Sequence, residues 1–246
     1  MPSLPEDWIV PDWPAPSRVR ALITSRNGGG STGPYASMNL GLRVDDDADV
    51  VDANRRLLKQ FLPAEPKWLN QVHGTAVVDA ESIGRLVEAD ASVATSPGCV
   101  SVVLVADCLP ILFADRTGSV VAAAHAGWRG LAAGVIENTV RALRMPPQNL
   151  LAYLGPAIGP AAFEVGNEVR DAFVAVDPAA GYAFLPDKSG KWLADLYVLA
   201  RQRLARAGLL NVYGGGQCTY SDPVRFFSHR RDKVSGRMAA LIWIED

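Results

Sequence analysis

A chain of 246 residues, 49% apolar and 20% charged, has material for a substantial core in one large or two small domains. Its formal charge of −2 gives no electrostatic reason to expect nucleic acid or an anionic membrane as partner. No stretch approaches the roughly 20 apolar residues of a membrane span, and three widely spaced cysteines, Cys99, Cys108 and Cys218, make no disulfide framework, so the expectation is a reduced, cytoplasmic protein.

Residues 1–18, rich in Pro and Trp and lacking the basic start and apolar run of a signal peptide, read as an extended N-terminal arm. A strand over 19–24 runs into a loop over 26–35, where four glycines and a proline exclude regular structure. That loop resembles an anion-binding turn but lacks the Lys-Ser/Thr of a nucleotide-triphosphate site. Apolar residues at Val50, Val51, Leu57, Leu58 and Phe61 predict an amphipathic helix over 48–62, closed by Pro63, with the acids of 45–49 at its positive end.

Short apolar runs at 68–72, 76–78, 100–106, 110–114 and 119–124 predict strands. The fully apolar ones, 102–106 and 120–124, suit strands covered on both faces. A helix is expected over 131–143, then a strand at 150–154 and a rigid Gly/Pro loop over 155–160. Helices over 168–176 and 194–207, the second stopped by Gly208, lead to a closing strand at 237–244. With no repeat or linker, the chain reads as one mixed α/β (α+β) domain over 1–246.

Only three histidines occur, so each can be weighed. His73 follows a predicted strand in Asn70-Gln-Val-His-Gly74. His125 ends an apolar strand in Ala123-Ala-His-Ala-Gly-Trp-Arg-Gly130, and Cys108 stands at a strand end in Ala106-Asp-Cys-Leu-Pro110. Three candidate ligands at three strand ends suit a metal site in which rigid elements set the geometry and loops leave an opening. Taken singly, each reads more readily as a packed core side chain, because no close Cys-x-x-Cys or His-x-x-x-His pair anchors the set. If the site is real, two imidazoles and one thiolate give one zinc ion three protein ligands and a fourth position for water.

Asp107 is a turn acid or a proton-transfer group beside Cys108. Arg129, in the helix start after His125, is a surface cation or part of an oxyanion site. The segment from Cys218 to Arg231 concentrates aromatics, His and Arg, which suits either a base and ribose contact or a basic strand edge with Phe226 and Phe227 in the core.

At these residues the chain strongly resembles the YfiH family, long labelled laccase-domain or polyphenol oxidase proteins. The matching motifs are Thr24-Ser-Arg-Asn-Gly-Gly29, Pro34-Tyr-Ala-Ser-Met-Asn-Leu-Gly41, Gln71-Val-His-Gly74, Ala106-Asp-Cys-Leu-Pro110, Ala123-Ala-His-Ala-Gly-Trp-Arg-Gly130, Leu154-Gly-Pro-Ala-Ile-Gly-Pro160 and residues 226–236. The resemblance implies a four-layer α/β/β/α sandwich related to the catalytic domain of cytotoxic necrotizing factor. It implies a zinc site of His73, Cys108 and His125, with phosphorolysis of adenosine, inosine and methylthioadenosine and deamination of adenosine. In some bacterial members it also implies peptidoglycan editing.

Asn39, Arg43, Gln71, Ser228, His229 and Arg230 are then candidate substrate contacts, with Arg129 or Arg230 holding phosphate and Asp107 relaying a proton. The chain departs from the family pattern at His229, where Tyr is expected.

Composition bears on the oxidase label. A multicopper oxidase needs about four coppers held mostly by imidazoles, which three histidines cannot supply, so only adventitious copper is expected. The alternative enzyme is a metal-free hydrolase or amidase acting on peptidoglycan precursors, with Cys108 as nucleophile and His125 or His73 as base. A protein with a structural, non-catalytic zinc would need a fourth ligand from Cys99, Cys218, His229 or a carboxylate.

Overall fold

The computed structural model describes residues 3–84 and 86–246. Strand β1 (Val19–Ile23) is followed by helix α1 (Ala48–Lys59), which Asp47 caps by accepting the Asp49 N–H. Then come β2 (Leu69–Asn70), β3 (Val77–Asp79), β4 (Val87–Glu88), β5 (Ala91–Ala94), β6 (Ser101–Val105), β7 (Leu109–Asp115) and β8 (Val121–Ala126). Helices α2 (Trp128–Ala133) and α3 (Val135–Ala142) lead to β9 (Leu150–Leu154), β10 (Glu164–Val165) and α4 (Asn167–Val174). The chain continues through β11 (Phe184–Pro186), β12 (Trp192–Ala194), α5 (Leu196–Arg206), β13 (Val212–Gly214), the single turn α6 (His229–Asp232) and β14 (Met238–Ile244).

Two sheets dominate. One has six strands in the order β13-β9-β7-β8-β5-β3, and the other has three in the order β1-β14-β6. The period of two along each strand assigns the layers. On β7, Leu109, Ile111 and Phe113 join one core with Leu131, Val135, Ile136, Leu199 and Leu204 from α2, α3 and α5. The alternate residues Leu112 and Ala114 face a second core, shared with Val103 of β6 and Ala240 and Ile242 of β14. The other face of the small sheet, Leu22, Val102 and Leu241, packs on Leu58 of α1 together with Met38 and Leu40. Helices, large sheet, small sheet and helix therefore stack as α/β/β/α, the sandwich that the resemblance implies. The N-terminal arm is tied down: Trp8 is buried against Phe61, and Ile9 bridges Ile23.

Two expectations need correction, and one strand has no counterpart among them. The helix expected over 131–143 is two helices, because Gly134 sits at φ +106 and caps α2 in the left-handed region. The strand expected over 68–72 shrinks to β2, because the chain turns into a left-handed residue at His73 (φ +59). The short strand β5, Ala-Ser-Val-Ala, has too little hydrophobic contrast to stand out in sequence, yet it lies inside the large sheet between β8 and β3.

Candidate metal centre and its cleft

The register of the large sheet assembles the site. Leu109 pairs with Ala126 and Pro110 with His125, so Cys108, one residue before β7, lies across from Gly127. Ala91 pairs with Ala124, which brings Asp90 opposite His125, and the His125 N–H donates to the Asp90 carbonyl at 2.7 Å. The turn after β2 then delivers His73 from outside the sheet. The His73 and His125 rings meet edge to face at 4.8 Å, and Cys108 Sγ lies 3.9 Å from His73 Nε2.

Asp90 holds this arrangement together. Its fully buried carboxylate accepts the backbone N–H groups of Val72 (3.2 Å), His73 (3.0 Å) and Gly74 (2.6 Å), and Oδ1 takes His125 Nδ1–H at 2.8 Å. The three backbone bonds offset the left-handed conformation of His73, whose cost is on the order of 1–3 kcal/mol. The bond to Nδ1 sets the tautomer and leaves Nε2 of His125 free to face Cys108.

The electrostatics favour a charged pair. Burial opposes ionisation of Cys108, but the two imidazoles, His125 above all, outweigh it and bring the thiol down to about 6. Burial likewise opposes protonation of His125, yet the Cys108 thiolate and Asp90 raise it to about 9. Burial also works against the Asp90 carboxylate, but His125 and the backbone donors hold its pKa below the usual range.

The three donor atoms lie within 4.8 Å of one another, and the space between them is kept clear. A Cβ on Gly127 would sit 2.9 Å from Cys108 Sγ and 3.0 Å from His73 Cδ2. Residue 127 must therefore be glycine to keep that space, and the trio can hold one metal ion. Above it opens a cleft of about 500 Å³. Leu42, Trp68 and Leu86 give it apolar wall, Arg43, Arg55, Arg129 and Arg237 give it guanidinium groups, and His229 stands among the lining residues.

The structure brings His73, Cys108, His125, Arg43, Gln71, Arg129 and His229 to this cleft. Gln71 spends both ends of its amide on the backbone of Leu104, donating to its carbonyl and accepting its N–H. Arg43 donates to Asn70 Oδ1. Arg129 is exposed and lies over Trp128.

Asn39, Ser228 and Arg230 fall outside the lining. Buried Asn39 accepts the N–H groups of Gly41 and Arg237, and buried Ser228 caps α6. Arg230 donates to the Glu164 carbonyl and lies over Phe163. Asp107 (φ +85) turns its carboxylate onto Thr219 Oγ1 and the Arg230 N–H, both at 2.6 Å, and so ties the β6–β7 turn to α6. Phe226 and Phe227 are core residues.

The glycine-rich loop offers no anion cradle. The Gly29 N–H goes to Ser37 Oγ and the Gly30 N–H to Asn54 Oδ1. Cys99, Cys108 and Cys218 are all free.

Sequence reasoning missed Asp90, Arg55, Trp68 and Arg237. Asp90 carries no ligand-like spacing and depends on the β5–β8 register. Arg55 Nε and Nη2 both reach the Leu40 carbonyl, and its guanidinium stacks on Trp68 at 3.9 Å. That pairing joins α1 to the strand region and has no local signature.

Sandwich and trio together define an α/β/β/α protein with a His-Cys-His cluster that could hold one metal ion, open to a cleft. Residues 20–245 match the family model described as multi-copper polyphenol oxidoreductase laccase. The chain is 55% identical over 240 residues to a protein of Pseudomonas aeruginosa named purine nucleoside phosphorylase, covering 97% of this chain and 99% of that one. It is 53% identical over 239 residues to the Escherichia coli purine nucleoside phosphorylase YfiH, covering 96% and 98%. A crystal structure of a Neisseria meningitidis protein superposes with a TM-score of 0.95 at 52% identity, over 98% of this chain and all of that one. YlmD of Geobacillus stearothermophilus superposes at 0.87 with 31% identity, over 94% and 93%. The chain belongs to the YfiH family, to which the laccase-like family model also corresponds. No helix among the described residues is long and apolar enough to cross a membrane.

Proposed function

We propose that this chain is a zinc-dependent purine nucleoside enzyme that cleaves adenosine, inosine and methylthioadenosine with phosphate and also deaminates adenosine. One observation carries the reading: a cleft with apolar wall and four guanidinium groups has the His73–Cys108–His125 trio among its lining residues. Apolar surface suits a purine, cations suit phosphate, and the trio marks the reacting end. The names of the relatives from Pseudomonas aeruginosa and Escherichia coli agree with it.

Two imidazoles and one thiolate are a zinc donor set with one position left open, and a zinc ion there would supply Lewis-acid polarisation. The chain's own residues do the rest. Asp90 orients His125 and the His73 turn. Leu42, Leu86 and Trp68 exclude water from the base, and a guanidinium group of the cleft holds the phosphate against the ribose. In phosphorolysis a phosphate oxygen bonds to C1′ as the N9–C1′ bond breaks, and the departing purine takes its electron pair and then a proton. In deamination water adds at C6 and ammonia leaves. Three histidines argue against multicopper oxidation as the native reaction. The functional assignment extends to a soluble, cytoplasmic protein of one domain, with nucleosides and phosphate as partners.

A second reading rests on a specific feature. The Cys108 thiolate, His125 imidazolium and Asp90 carboxylate would also suit the nucleophile, base and orienting acid of a cysteine hydrolase, whose substrate would be a peptidoglycan precursor.

Purified protein incubated with each nucleoside, with and without phosphate, before and after chelator treatment, separates the two readings by product mass. Phosphate-dependent release of free base that stops on metal removal supports the first. Amide hydrolysis that survives metal removal supports the second. Cys108→Ala should lose metal and turnover together, and a variant that keeps both would refute the site.

A further inference from the structure

Arg237 is held in a slot that the chain builds for it. Its N–H donates to Asn39 Oδ1 at 2.9 Å, and the same oxygen takes the Gly41 N–H at 3.0 Å. Gly41 makes room for the side chain, since a Cβ there would lie 2.8 Å from Arg237 Cγ. Gly236 lets the preceding backbone press on Phe227, where a Cβ would come within 2.6 Å of the ring. Nη1 is then anchored on the carbonyls of Ser235 (2.8 Å) and Gly236 (3.0 Å).

The opposite edge of the guanidinium is uncommitted. Nε and Nη2 donate to no protein acceptor among the described residues, and no carboxylate there forms an ion pair with Arg237. Arg237 is half-buried, so this free edge is open to the cleft and available to an anionic ligand. Arg237 lines the same cleft as His73, Cys108 and His125; burial holds its pKa below the usual guanidinium value, against the opposing charges of Cys108, Asp107 and Tyr35.

The neighbouring arginines are placed differently. Arg55 is spent on the Leu40 carbonyl and Trp68, Arg43 donates to Asn70, and Arg129 is exposed over Trp128.

We propose that Arg237 is the phosphate-holding residue of this cleft, presenting its Nε–Nη2 edge to two phosphate oxygens beside Cys108. The inference rests on the phosphorolysis reading. It gives Asn39 a positioning role, because the amide that was expected to touch substrate instead fixes the backbone from which Arg237 reaches the cleft. It also explains why sequence reasoning turned to Arg129 and Arg230. Those two stand within recognisable motifs, whereas Arg237 directly precedes β14.

The test is isothermal titration of inorganic phosphate into the metal-loaded enzyme, its Arg237→Gln variant and its Arg237→Lys variant. Metal content, melting temperature and the KM values for phosphate and inosine are measured alongside. Two charge-assisted bonds are lost in the Gln variant, so phosphate affinity falls by about tenfold or more and the phosphate KM rises in step. The inosine KM stays within about twofold, and metal content is unchanged.

The Lys variant keeps the charge but loses the fork, and falls between. Unchanged phosphate affinity in Arg237→Gln overturns the proposal, as does an equal rise in both KM values. Should the Gln variant fail to fold, the Lys variant decides: full affinity overturns the proposal, and a clear loss supports it. If the wild type cleaves no nucleoside with phosphate, the functional reading fails, while the titration still decides the anion site.

Discussion

Replacing Asp90 with Asn keeps the side chain's shape and removes one acceptor oxygen. Oδ1 takes the His73 N–H and His125 Nδ1–H, and Oδ2 takes the Val72 and Gly74 N–H groups. Whichever oxygen becomes the NH2 group, two donors lose their acceptor and face another donor. Each orphaned donor costs about 1–3 kcal/mol when buried. Because His73 and Val72 are exposed and water relieves part of this, the total is roughly 2–4 kcal/mol. In a chain of this length, that lowers the melting temperature by about 4–16 °C.

The loss should also reach the metal. Without its anchor His125 can adopt the wrong tautomer, and the His73 turn is released from its left-handed conformation, so metal affinity should fall about 10- to 100-fold. Competition against a chromophoric zinc chelator measures this, with calorimetry for stability. Asp115→Asn is the control. Its carboxylate likewise accepts the backbone N–H groups of Thr117, Ser119 and Val120, at the far end of the β7–β8 hairpin. If Asp90→Asn loses stability as the control does but retains wild-type metal affinity, Asp90 is only a turn clamp and the reasoning is refuted.

Gly127→Ala places a methyl group among the three donors. Metal content measured by mass spectrometry should drop below about a tenth of wild type, with the fold intact by circular dichroism. In metal-free protein the Cys108 thiolate is present above about pH 6, so its alkylation rate should rise through that value. His125→Gln should move the midpoint upward. Asp115 has its pKa depressed: burial opposes this, but the bonds from Thr117, Ser119 and Val120 outweigh it. Its stabilisation is therefore present above the unfolded carboxylate pKa and lost as pH falls through the depressed folded value. The gap in melting temperature between wild type and Asp115→Asn should be full at neutral pH and close in strong acid, as a thermal melt series would show.

Legibility followed how local each feature is. β7, β8, β9, α1, α5 and β14 stood out because apolar periodicity is written in consecutive residues, and Leu150–Leu154 is bounded as expected. The break at Gly134 could have been suspected from the glycine alone, but an isolated glycine is compatible with a continuous helix until its φ is known. β5 escaped notice because four small residues become a strand only between their two neighbours.

By itself the sequence offered the residue types of the candidate centre: His73 and His125 out of three histidines, Cys108 in a matching motif, and Gly127 two residues after His125. It also limited the metal chemistry by supplying too few imidazoles for several coppers. Tertiary structure decided what holds those residues and which cations face them. Asp90 meets His125 only through the β5–β8 register, and Arg237 reaches the cleft only because Asn39, from a loop nearly 200 residues earlier, fixes its backbone. Arg230, by contrast, is drawn away by Glu164. Hydrogen bonds between segments distant in the chain have no period or spacing to read, so they appear only once the sheets have paired.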